Sequence, residues 1–129
     1  MNENDATHLL RSLLDSEGAE WAEENGWLRF RSQHDAMIWE TACRACGGAL
    51  LFYARFPFRF AEPDRARRLC EEANRRLVRG ALYLAEDGTA VYRCRAELDD
   101  VYGAEDRIRA ALGYGAQVMS HYWSRLAGI

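Results

Sequence analysis

Two hydrophobic periodicities alternate along the chain. Between Asp5 and Ser16, Leu9, Leu10, Leu13 and Leu14 recur at helical spacing, which gathers them into one apolar stripe. Asp5 or Thr7 is suited to cap the start of this helix, and Gly18 to end it. From Trp21 the pattern changes. Asn25-Gly26 is a tight-turn signal because both central positions of such a turn need positive φ. Trp27 to Ser32 then alternates, with Leu28 and Phe30 on one side and Arg29 and Arg31 on the other. That period of two predicts a strand.

Gln33-His34-Asp35 reads as a turn, and Met37 to Cys43 as a second strand with Met37, Trp39 and Thr41 sharing a face. Gly47-Gly48 marks the next reversal. Ala49 to Phe56 is the strongest strand signal, with Leu50, Phe52, Ala54 and Phe56 on one face and Leu51, Tyr53 and Arg55 on the other. Apolar residues on both faces predict a central strand, or one whose outer face is covered.

Pro63 suits the first position of a helix, where its missing N–H costs nothing. From Asp64 to Val78 the stripe is Ala66, Leu69, Cys70, Ala73 and Leu77. The opposite face is charged, with Arg67/Glu71, Arg68/Glu72, Glu71/Arg75 and Glu72/Arg76 at i,i+4 spacing, each pair worth about 0.2–0.5 kcal/mol. Gly80 stops this helix. Ala81 to Ala85 and Ala90 to Leu98 then form a hairpin through Glu86-Asp87-Gly88-Thr89. A long helix from Gly103 to Leu126 closes the chain, with Ile108, Leu112, Gly115, Met119, Tyr122 and Leu126 in one stripe. Gly113 and Gly115 inside it are explained by close packing on a sheet.

The predicted order is α-β-β-β-α-β-β-α. Strands in runs joined by short turns give an α+β fold, a mostly antiparallel sheet packed with helices. No repeat, linker or low-complexity tract divides residues 1–129, so they are expected to form a single domain.

Composition narrows the function. Net charge is -3, and all 17 basic residues are Arg. A dedicated nucleic-acid binder would be strongly basic, so no nucleic-acid partner is expected. The one basic cluster expected is the Arg-rich helix, with Arg65, Arg67, Arg68, Arg75, Arg76 and Arg79, read as a solvated face that Glu71 and Glu72 partly neutralise. No apolar run reaches the roughly 18 residues of a membrane span, and Met1 to Thr7 is polar, unlike a signal peptide. The expectation is a cytoplasmic protein without membrane contact, its four Cys reduced.

Catalytic patterns are sparse. Cys43-Arg44-Ala45-Cys46 has the spacing of a redox dithiol or half a zinc site. It straddles a predicted strand-to-strand turn and does not open a helix, where the dipole would activate a thiol. Cys70 and Cys94 sit on apolar faces and read as small core residues. His8, His34 and His121 show no metal-binding spacing, and no phosphate-cradling glycine loop or serine nucleophile elbow occurs. No catalytic residue, metal or cofactor is therefore assigned. A thiol-redox or metal-binding role for Cys43 and Cys46, or a small-ligand sensor with an apolar cavity, stands as the alternative.

The remaining signal is apolar excess. Ile38, Leu51, Tyr53, Tyr83 and Val91 lie on the strand faces opposite the core-facing sets. The terminal helices are expected to cover some of them, and those left bare to bind a protein partner.

From Phe56-Pro57 to Leu126 the chain resembles the YbjN-like family of bacterial sensory-transduction regulators. The resemblance lies in the Arg-rich helix with Leu69, Ala73-Asn74 and Leu77, in Gly80-Ala81-Leu82-Tyr83-Leu84, in the hairpin Asp87-Gly88 to Val91-Tyr92-Arg93, and in the final helix ending with Tyr122 and Leu126. That family is similar in fold to class I type III secretion chaperones. The resemblance implies a small cytoplasmic homodimer that binds extended protein segments on apolar patches, with no catalytic residue and no cofactor.

Overall fold

Polar punctuation sets where each element begins. In the computed structural model, which describes residues 1–129, the first helix α1 spans Glu3–Ser16. Its cap is Asn2 and not Asp5 or Thr7: the Asn2 side chain accepts from the Asp5 N–H while the Asp5 carboxylate takes the Asn2 N–H, a reciprocal capping box that satisfies two otherwise orphaned donors. Strand β1, Trp21–Glu24, was not expected. It pairs with β2, Trp27–His34, through the Asn25-Gly26 turn, where Asn25 has φ 54° and Gly26 φ 81°. Its four residues, Trp21-Ala22-Glu23-Glu24, are too few to show a strand periodicity; pairing with β2 makes it one.

Strand β3, Met37–Cys46, turns at Gly47-Gly48 into β4, Ala49–Arg55. Helix α2, Pro63–Asn74, leads to β5, Ala81–Leu84, and β6, Ala90–Glu97, before the long helix α3, Ala104–Ala127. The fold is α+β, with the six strands in the order β1-β2-β3-β4-β6-β5 and every neighbouring pair antiparallel. Helix α2 ends four residues earlier than its periodicity predicts. The side chain of Asn74, the last helical residue, accepts the Leu82 N–H on its Oδ1 and donates its Nδ2 to the Leu82 carbonyl, both at 2.8 Å. These two bonds use the outward-facing backbone groups of Leu82 on edge strand β5, which otherwise invite another strand.

One core holds the molecule together. Leu28, Phe30, Trp39, Cys43, Leu50, Phe52, Leu82, Tyr92 and Cys94 from one sheet face join the buried stripes of all three helices in a single cluster. The i,i+4 pairs predicted for α2 do not form. Arg67 bonds Asp64, Arg65 bonds Glu62, and Glu72 reaches Arg125 on α3. Gly115 faces the Tyr92 ring, where an added Cβ would sit 3.7 Å away, whereas Gly113 borders open space. A Cβ would fit at either position in ordinary contact or open space, so close packing accounts for neither glycine. No helix is long and apolar enough to cross a membrane.

Candidate functional site: the uncovered face of the sheet

Because side chains alternate across a strand, placing all three helices on one face leaves the other bare. The cross-strand register then lines up what stands there. One row runs Arg29, Ala42, Tyr53, Arg93, Ala81 across β2, β3, β4, β6 and β5. A neighbouring row places Arg44 opposite Leu51 and Leu51 opposite Arg95, and the row on the other side places Glu40 opposite Arg55 and Arg55 opposite Val91, with Tyr83 beyond. None of the residues in these rows belongs to the core cluster.

The five apolar residues singled out from the sequence, Ile38, Leu51, Tyr53, Tyr83 and Val91, all lie on this face, and no helix covers any of them. Leu51, Tyr53 and Tyr83 are half-buried, while Val91 is only 2% exposed. Ile38 is 44% exposed but sits at the far end of β3, opposite Gln33 and away from the aromatic group. Trp27, absent from that set because its strand was read from Leu28 and Phe30, completes the group. Its ring meets Tyr53 edge-on at 5.5 Å, and the Arg44 guanidinium lies over it at 5.0 Å, a cation–π contact. Burial pushes the Tyr83 hydroxyl up from its ordinary pKa, with Tyr53 adding to the shift.

The face is also basic, which corrects the expectation that the Arg-rich helix is the one basic cluster. Its strands contribute Arg29, Arg31, Arg44, Arg55, Arg93 and Arg95 against Glu24, Glu40 and Glu97, in a chain whose acids outnumber its bases by three. Three of these Arg are engaged, Arg29 with Glu40, Arg55 with Asp87, and Arg95 with Glu97. Arg55 and the Thr89 hydroxyl anchor the β5–β6 turn; hydrogen bonds from Thr89, and then the nearby charges of Arg55 and Arg59, hold the Asp87 carboxyl below its usual range. Arg31, Arg44 and Arg93 enter no ion pair. Tyr53 separates two hollows. One, of about 200 Å³, lies between Trp27, Tyr53 and Tyr83. The other, of about 490 Å³, is bordered by Leu51, Tyr53, Arg79, Arg93 and Arg95 with no acidic side chain on its rim. The signal was present in the sequence as Arg at every second strand position, but only the assembled register collects it.

The thiols do not converge. Strand β3 runs on past Cys43 through Cys46, where a turn was expected, and three residues apart the two thiols point to opposite faces. Cys43 is buried opposite Leu28 and Phe52, while Cys46 is exposed opposite Ala49. Burial pushes the Cys43 thiol pKa up strongly and raises that of Cys94, and it pushes Cys70 up to about 11. His8, His34 and His121 are all exposed, and no three His, Cys, Asp or Glu side chains gather closely enough to hold a metal ion. In the folded protein an alkylating reagent is expected to label Cys46 alone, with the other three reacting only on unfolding. Rapid labelling of Cys43 by mass spectrometry would contradict this placement. The buried thiols also set a pH dependence. Their folded-state pKa lies above the unfolded value of 9.0, so above it the unfolded chain releases protons that the folded chain keeps. Stability is therefore expected to fall as pH rises from about 9 towards 11, read as a falling urea midpoint, with a shallower fall in Cys70→Ala.

On the helix side, a hollow of about 510 Å³ lies between α1 and α3. Ser32 Oγ and Thr41 Oγ1, 3.3 Å apart, stand among its apolar walls, with the Glu17–Arg109 ion pair on its border. Compared with family models, curated proteins and solved structures, the chain matches none.

Proposed function

We propose that this protein is a non-catalytic binding module, chaperone-like or regulatory, that holds a protein partner on the bare face of its sheet. The observation that carries the reading is the one-sided packing of the helices: it leaves Trp27, Leu51, Tyr53 and Tyr83 half-buried outside the core, apolar and aromatic surface of the kind that anchors protein interfaces. The resemblance of residues 56 to 126 to YbjN-like proteins, and through them to secretion chaperones, supports the same reading. Four unpaired thiols support a reducing, cytoplasmic setting. The bonds from Asn74 to Leu82 occupy the β5 edge, so the partner docks on the face and not by adding a strand there.

A photoreactive side chain in place of Leu51 is expected to trap one recurring protein in the native cell, and the same group in place of exposed Gln117 on α3 none. Equal trapping at both positions, or none at 51, would sink the reading. The hollow between α1 and α3 favours a second reading, a small-ligand sensor, since its size falls in the range of ligand sites. A small molecule retained by the purified protein in native mass spectrometry would support it.

A further inference from the structure

The charge on the bare face says what kind of partner it fits. We propose that the occupant is an acidic protein segment that also carries apolar side chains, its carboxylates entering the hollow between Arg79, Arg93 and Arg95 and its apolar groups resting on Leu51 and Tyr53. This rests on the binding reading above. Arg93 has no ion-pair partner. Arg79 is tied only through Nη2, which donates to the Arg95 carbonyl at 2.6 Å, leaving its other guanidinium donors for a ligand. No acid lines the hollow; Glu97 already engages Arg95, so an incoming carboxylate is met by Arg93 and by the free donors of Arg79. Guanidinium–carboxylate pairing is the strong, geometrically specific kind. Leu51 and Tyr53 form an apolar side of the hollow, and a pair formed against them is less screened by water and so stronger.

Other occupants fit less well. A two-fold dimer through this face would bring its Arg-rich surface against itself, an arrangement that like-charge repulsion opposes. A single-stranded nucleic acid would find aromatic rings and Arg, the usual platform. However, Trp27 is already capped by Arg44 and edge-packed by Tyr53, and Glu24, Glu40 and Glu97 would face its phosphates. A protein segment can set polar or basic side chains against those glutamates.

The test is fluorescence anisotropy on the full chain with three labelled probes: a short peptide of Asp, Leu and Ser, its counterpart with Asn for every Asp, and an oligo-thymidine strand. The acidic peptide is expected to bind, more weakly as salt rises, and to weaken about tenfold in Arg93→Glu, the scale of one charge-assisted pair. Arg107→Glu on α3 should leave it unchanged. Equal binding of the Asn peptide, tighter binding of the oligonucleotide, or no acidic-peptide binding would overturn the proposal. The salt titration on the unsubstituted chain decides even where Arg93→Glu misfolds. If the acidic peptide fails while the group at residue 51 still traps a partner, the charge assignment falls and the binding reading stands.

Discussion

Gly80→Ala is expected to destabilise the protein by about 3 kcal/mol, a large share of a typical domain's stability. Gly80 sits at φ +77°, where an L side chain is strained. An added Cβ would also lie 2.4 Å from the Arg93 carbonyl oxygen and 2.6 Å from the Tyr92 hydroxyl. The carbonyl belongs to β6 and cannot swing aside, so the entry into β5 must move. That movement breaks the 2.7 Å bond that the Tyr92 hydroxyl donates to the Arg79 carbonyl. Gly88→Ala is the control. Gly88 has φ +85° but open space around it, so only the backbone cost of about 1 kcal/mol remains. Urea unfolding of the two variants separates strain from collision, and equal losses would show that the close approach at Gly80 does not matter.

Phe56→Ala is expected to cost about 3–5 kcal/mol, the range for emptying a fully buried aromatic site. Phe56 is 0% exposed. It stacks on Phe58 at 6.1 Å and meets Trp123 at 5.9 Å, while its N–H donates to the Ala90 carbonyl at 3.0 Å. Trp123 also lies 6.2 Å from Trp39 on the sheet, so the cavity would loosen the end of α3 from β3. The urea midpoint should drop and the near-ultraviolet signal of the tryptophans should change. Leu51→Ala, one strand position away from the core on the bare face, should cost less than about 1 kcal/mol. A loss there as large as that of Phe56→Ala would mean the face is core and not a docking surface.

The two faces of β4 show how far the sequence carries. Alternation assigned Leu50, Phe52, Ala54 and Phe56 to one side and Leu51, Tyr53 and Arg55 to the other, because a strand's period of two is a local property of its backbone. The same reasoning placed β2, β3, β5, β6 and the three helices. It also left Cys70 and Cys94 in the core. It missed β1, whose four residues are too short a run to show alternation and take strand geometry by pairing with β2 across Asn25-Gly26. It ended β3 at Cys43 and put Cys46 beyond the strand, because the strand runs on through Arg44 and Ala45 without an apolar alternation strong enough to read.

The sequence by itself determined the α+β class, the strand faces and the identity of the core, since these follow from periodicity and turn chemistry acting over a few residues. Which face the helices would cover, and therefore that Trp27, Leu51, Tyr53 and Tyr83 stand bare among six arginines, was decided only by the tertiary structure. Helices settle where their apolar stripes bury most area. That choice, and the register that collects Arg44, Arg93 and Arg95 from strands distant in sequence, depend on contacts between segments that no local pattern encodes.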